Sequence, residues 1–222
     1  MKNNIIVILM VLLVYISACS KQKANAPSDF NITAHGTWIE ITGYRGISKT
    51  VVIPNRINGK PVTTIGRNAF SDQEITHITI PNSVTRIESG AFSNNQLTSV
   101  KIPNSVTHLD GFSSNQLTSV EIPNSVKEIG NWAFSNNQLT SITIPGSVVT
   151  IGRSAFERNL LADAHIPNSV ASIGNLAFAN NRLTSVTVPN SITHIGPSVF
   201  AANRLSDVTI PYGGNPLKII HL

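Results

Sequence analysis

Apolar residues recur along this chain with a period of 22 residues. The clearest unit is Ile80-Pro81-Asn82-Ser83-Val84-Thr85-Arg86-Ile87-Glu88-Ser89-Gly90-Ala91-Phe92, continued by Ser93-Asn94-Asn95-Gln96-Leu97-Thr98-Ser99-Val100-Lys101. It restarts at Ile102, Ile122, Ile144, Ile166, Val188 and Ile210, each followed by proline, and a longer variant opens at Ile53-Pro54. A fixed period of this length predicts a repeat solenoid, mainly β, of about eight coils, in which each unit buries its apolar face only against its neighbours. Such a fold presents long surfaces rather than deep pockets.

Each column of the repeat has its own task. Leu97 stands in one apolar column with Ile75, Leu117, Leu139, Leu161, Leu183 and Leu205. Val100 and Ile102 head two more, which alternate with period 2 and are mostly β-branched, so strands are expected here. Stacking the coils puts these strands side by side in a parallel sheet, each ended by its proline. Val84 with Ile87, and their equivalents, are expected to line the opposite wall as a short extended segment. Seven of the eight phenylalanines fall in a single column, Phe70 to Phe200, and are expected to stack as an interior ladder. Asn95, Asn115, Asn137, Asn159, Asn181 and Asn203 form a polar column two residues before the core leucine. Inward amides there can satisfy backbone groups that a turning chain leaves unpaired. The serines after proline, such as Ser83 and Ser105, suit the turn that follows.

Two repeats depart from the period. Pro103 to Pro123 spans 20 residues, and Leu109-Asp110-Gly111-Phe112 lacks two residues present elsewhere, which predicts one tightened loop and an intact sheet. The opening repeat is longer, and Ile57-Asn58-Gly59-Lys60-Pro61 reads as an inserted turn. Trp38 to Tyr44 alternates like a strand, as part of an N-terminal cap over 31–52. The repeats then occupy 53–211, and 212–222 forms a C-terminal cap or tail.

Leu97-x-x-Val100-x-Ile102 followed by Pro103-x-Ser105-Val106 matches a leucine-rich repeat. Together with Ile129-Gly130-Asn131-Trp132-Ala133-Phe134 it resembles the BspA-type leucine-rich repeat family, over about Trp38 to Pro211. The resemblance implies a right-handed leucine-rich-repeat solenoid with a parallel β-sheet on one face. It also implies a bacterial surface protein, often a lipoprotein or adhesin. Family members often carry cysteine three residues after the phenylalanine, where this chain has Asn95 and its equivalents, and 23-residue repeats are commoner than 22. Binding residues are not a shared motif of the family, so no ligand carries over.

The N-terminus lies outside the repeats. Lys2 precedes the apolar run Ile5 to Val14, then Ile16-Ser17-Ala18-Cys19, so 1–18 reads as a secretory signal peptide. A membrane-spanning helix needs about 20 apolar residues, and Tyr15, Ser17 and Ser20 interrupt this run. Cys19 is the only cysteine and has no partner for an internal disulfide. Ile16-Ser17-Ala18-Cys19 resembles the bacterial lipobox, which implies cleavage before Cys19 and acylation of it. The other reading is an ordinary signal peptide that carries a cysteine. Acylation would hold the protein to a membrane through the tether 19–30, at the outer membrane or cell surface. The net charge of +5 suggests nucleic acid only until it is located. Between Pro54 and Pro211 ten basic residues face nine acidic ones, so the solenoid is near neutral and no nucleic-acid partner is expected.

No catalytic arrangement is recognisable, and neither cofactor nor metal is expected. The six histidines are dispersed over different coils, without metal-ligand spacing. Asp110 lies two residues from His108, with no nucleophile beside them. Binding is the remaining class. Outward positions between the core columns vary most at Lys101, Glu121, Asp163, His165 and Asp207, the candidate contacts with a protein ligand on a host or partner cell. Trp132 stands where other repeats have Gly90, Ser154, Leu176 or Ser198. It is either an exposed anchor of the kind enriched at interfaces or a cover for the shortened coil. The alternative function is an envelope scaffold, self-associating through open sheet ends.

Overall fold

The computed structural model describes residues 23–206, 209–212 and 215–218; the apolar leader, Cys19 and Asp207 lie outside these. The described chain opens with a hairpin of β1 (Phe30–His35) and β2 (Trp38–Tyr44), and β2 has the limits its alternation predicts. After β3 (Thr50–Val52), the longer opening repeat folds β4 (Arg56–Ile57) back on β5 (Lys60–Ile65). Asn58 and Gly59 turn this hairpin with φ of 51° and 76°. Left-handed backbone at both turn residues is what makes Asn-Gly favourable there. The coils then add β6 (His77–Thr79), β7 (Arg86–Ile87), β8 (His108–Leu109), β9 (Glu128–Ile129) and β10 (Thr150–Ile151). They continue with β11 (Asp163–His165), β12 (Ser172–Ile173), β13 (Ser185–Thr187) and β14 (His194–Ile195), and β15 (Thr209–Tyr212) and β16 (Asn215–Lys218) follow.

The solenoid is mainly β and has a parallel sheet on one face, but not on the wall where the Val100 and Ile102 columns place it. The continuous sheet runs β1-β2-β5-β7-β8-β9-β10-β12-β14, along the wall of Ile65, Ile87, Leu109, Ile129, Ile151, Ile173 and Ile195. On the Val100 wall, pairing among the described residues of the coils is limited to β3 with β6, β11 with β13, and single bridges at Lys101–Glu121 and Thr143–His165. Proline explains the exchange. Each Val100-type segment runs into Ile-Pro, and proline has no N–H to donate to a ladder. The opposite segment keeps every amide. Thr85 N–H donates to Thr63 O at 2.8 Å and Glu88 N–H to Ile65 O at 2.9 Å, extending the ladder beyond the two-residue strand.

Among the described residues there are seven turns, one for each ring from Phe70 to Phe200, close to the eight expected. The last Ile-Pro start, at Ile210, does not begin another coil, because β15 pairs antiparallel with β16. The rings stack at centroid separations of 5.0 to 5.8 Å, and those from Phe70 to Phe178 are fully buried. Burial of each contributes about 1.5–3 kcal/mol. The asparagine column points inward, as its position predicts. The serine hydroxyls do not close their own turns; Ser105, Ser125 and Ser147 donate to Val84, Val106 and Val126 of the preceding coil at 2.6–2.7 Å. The turn itself is closed by backbone, as in Val106 N–H to Pro103 O at 3.0 Å.

The shortened repeat keeps its sheet strand, as expected, and the loss falls in the turn before phenylalanine. Gly111 takes φ of +92°, and a Cβ there would lie 2.6 Å from Glu88 O and 2.7 Å from Ala91 N. Glycine is what allows the chain to cut straight from Asp110 to Phe112.

Candidate binding face

The solenoid register turns the outward sequence positions into a row. Lys101 and Glu121 are paired across a parallel bridge, Thr143 bridges to His165, and His165 pairs with Thr187 in β13. Asp163 and His165 flank Ala164 on β11, so both point outward while Ala164 is buried. Lys101, Glu121, Asp163 and His165 are all exposed. Around Glu121 the surface is grooved. A groove of about 820 Å³ is lined by Glu121, Asn104, Pro123, Asn124 and Thr143. Another of about 450 Å³ adds Lys101 and Val100 to Glu121. Opposite charges side by side in water contribute little stability, so Lys101 and Glu121 are free to serve recognition. Asp207 lies outside the described residues.

Trp132 belongs to a different face, in the turn between Ile129 and Phe134. Its side of the molecule adjoins the shortened coil, yet it stays 44% exposed, with the Arg153 guanidinium 5.5 Å from its ring. It therefore borders the shortened coil without covering it, and it is not brought together with the Lys101–His165 row.

A charged cluster sits on the continuous sheet. Register places Arg86, His108 and Glu128 side by side on β7, β8 and β9. Arg86 Nη2 pairs with Glu88 Oε1 at 2.9 Å. His108 Nε2 lies 3.4 Å from Asp110 Oδ2 and 4.0 Å from Glu88 Oε2, and its Nδ1 is 3.7 Å from Glu128 Oε2. Only the imidazolium can donate from both nitrogens. The Asp110 carboxylate, by accepting a hydrogen bond, raises the His108 pKa against the opposing effect of burial. Asp110 itself is buried, and its Oδ1 has no hydrogen-bond partner. Among the described residues no three His, Cys, Asp or Glu side chains are placed to hold a metal ion.

A family model described as BspA type leucine rich repeat region matches residues 48–161 and 107–218, with six copies. The chain belongs to the BspA-type leucine-rich repeat family. Among solved structures it is similar to a leucine-rich repeat protein from Bacteroides ovatus, with TM-score 0.58 and 24% identity over 82% of this chain and 57% of that one. A leucine rich cell surface protein from Faecalibacterium prausnitzii gives TM-score 0.61 and 25% identity, over 87% of this chain and 56% of the other. The leucine-rich repeat protein of T. pallidum gives 0.51 and 22%, over 82% and 91%. The chain thus spans a little over half the length of the first two. No curated protein matches it. A BspA-type solenoid is a scaffold of the protein-interaction type.

Two features of this BspA-type chain escaped the repeat pattern. The Arg86–His108–Glu128 alignment is visible once the repeats are stacked, because the three share one column. Asp110 joins it from the column just after the strand, where Glu88 and Gly130 stand in the neighbouring coils. The consequence of the missing turn for its neighbours is a matter of space, and no residue type announces it.

Proposed function

We propose that this chain is a lipid-anchored, non-catalytic binding module displayed on a bacterial surface, engaging a protein of a host or partner cell. The observation that carries the reading is the contrast within each coil. Core columns repeat almost unchanged, whereas the outward row changes charge from Lys101 to Glu121 to His165 in consecutive and near-consecutive coils and borders grooves of several hundred Å³. A purely structural rod has no need of that variation. The lipobox-like Ile16-Ser17-Ala18-Cys19 supports anchoring through Cys19. A similar protein described as cell surface supports display.

Protease treatment of intact host cells, beside a Cys19→Ala control, tests the placement. Digestion of the repeats on intact cells is expected; protection until the envelope is broken overturns surface display and favours an envelope scaffold. Adhesion of cells to immobilised host matrix proteins, compared for the native chain and a Lys101→Ala, Glu121→Ala variant, tests the face. Equal adhesion by both removes the row from the binding surface.

A further inference from the structure

The turn preceding each core phenylalanine stacks from coil to coil. Asn68 N–H donates to Ser89 O at 3.2 Å, Trp132 N–H to Arg153 O at 2.8 Å, and Ser154 N–H to Asn175 O at 2.9 Å. The Phe112 coil lacks the two residues that would continue this stack between Ser89-Gly90 and Asn131-Trp132. A slot one coil wide is left in an otherwise continuous surface. The Phe92 and Phe112 rings lie 5.0 Å apart and the Phe112 and Phe134 rings 5.8 Å apart, so the slot has about the thickness of one flat ring. Its cavity of about 310 Å³ falls within the size range of small-molecule sites.

The lining has a definite chemistry. Asn68, Ser89 and Ser93 stand on one side, Asn131 and Trp132 on the other, and Ser113 of the shortened coil lies between them. Ser93 and Ser113 already share a hydrogen bond of 2.7 Å. The Asn131 side-chain oxygen accepts the Arg153 N–H at 2.8 Å, which holds its amide in place. Hydroxyls and amides can both donate and accept. Asp72 is the one charged residue of the lining, and no Lys or Arg belongs to it. Arg153, over the Trp132 ring, comes from the next coil and does not line the slot.

Trp132 is the one aromatic choice here. It holds φ of +55°, in a position occupied by Asn68, Gly90, Ser154, Leu176 and Ser198 in other coils, all with positive φ. Left-handed backbone thus belongs to this turn in every full-length coil, and what sets Trp132 apart is the large ring it carries at the rim of the slot. The indole is 44% exposed beside a narrow, hydroxyl-rich slot whose lining carries a single carboxylate.

We infer that this slot binds a neutral saccharide, with one pyranose ring stacked on Trp132 and its hydroxyls met by the Asn and Ser side chains. The indole face is electron-rich and suits the weakly positive C–H face of a sugar. A polar slot one ring thick does not suit a protein partner, whose interface centres on apolar area. The lone carboxylate of Asp72 disfavours acidic sugars. The inference is independent of the Lys101–His165 row, which lies elsewhere, and of surface display.

The test uses the full-length chain in detergent, carrying Trp38→Phe so that Trp132 is the only tryptophan. Cellohexaose, maltohexaose, mannohexaose, chitohexaose and an oligogalacturonate are titrated while indole fluorescence is read. A saturable change with at least one neutral sugar, and weaker binding of the oligogalacturonate, is expected. Trp132→Ser, a residue this turn accepts in other coils, is followed by calorimetry and should weaken binding by about tenfold or more. Insertion of Ser-Gly between Asp110 and Gly111, which rebuilds the missing turn, should abolish it while circular dichroism is retained. Absence of saturable binding by every neutral sugar overturns the inference, as does unchanged affinity in Trp132→Ser or in the insertion variant.

Discussion

The side-chain oxygen of Asn137 accepts the backbone N–H of Leu117, 3.0 Å away in the preceding coil. The same amide donates to Phe112 O at 2.9 Å and Phe134 O at 3.2 Å. One buried side chain thus replaces the backbone pairing that a turning chain cannot make for itself, and it does so between coils. The arrangement recurs at Asn115 with Leu97, Asn159 with Leu139 and Asn181 with Leu161. These amides bond the coils together and do not form an external ligand array.

Asn137→Ala is expected to be strongly destabilising. It strands the Leu117 N–H and weakens two carbonyl contacts, and each buried group left unsatisfied costs about 1–3 kcal/mol. Urea unfolding of this variant beside Gln138→Ala, whose side chain is exposed, measures the difference. A midpoint shift no larger than that of Gln138→Ala would show that water substitutes for the amide.

Phe134 is fully buried and stacks between Phe112 and Phe156 at 5.8 Å on each side. Phe134→Ala should cost about 3–5 kcal/mol. Because each coil is stabilised by its neighbours, the loss should broaden the unfolding transition as well as shift it. Calorimetry reads both, and a sharp transition at the native temperature contradicts the role of the ladder.

Gly111→Ala is expected to be worse than an ordinary glycine substitution. Left-handed backbone strains alanine, and the added Cβ meets backbone of the preceding coil at Glu88 and Ala91. Gly146→Ala, with open space around its Cβ, is the control. Similar melting temperatures for the two variants would show that the shortcut at Gly111 tolerates a side chain.

His108 makes stability depend on pH in a stated direction. Its folded-state pKa is raised above 6.5 because Asp110 accepts a hydrogen bond from it, with Glu88 adding and burial and Arg86 subtracting. A raised folded pKa means that the fold binds the proton more tightly than the unfolded chain. The contribution is complete below the unfolded pKa, about 6.5, and fades as pH climbs through the folded value. The melting temperature of the native chain relative to His108→Gln should therefore be higher at about pH 6 than at about pH 8.5. A difference that grows with rising pH is the contrary result.

Much of this was readable before any fold was known. The phenylalanine ladder, the inward asparagines, the strand Trp38–Tyr44 and the Asn58-Gly59 turn each follow from a local rule repeated along the chain. The position of the continuous sheet was not readable in the same way. The β-branched columns at Val100 and Ile102 have the stronger strand signal, yet Ile-Pro denies them a ladder, and the weaker Thr85–Glu88 segment carries it with its full set of amides. Side-chain propensity and backbone donor supply pointed to different walls, and donor supply prevailed.

The chain alone determined the period, the core columns, the family and the place of the missing turn, because each is a property of spacing along one dimension. Only the tertiary structure decided what stands beside what across coils. It joined Lys101 to Glu121 and gathered Arg86, His108, Asp110 and Glu128 around one proton. It also turned a two-residue absence into a slot with Trp132 on its rim. Adjacency between coils arises from stacking register, and a gap exists only once the turns that bound it have been stacked.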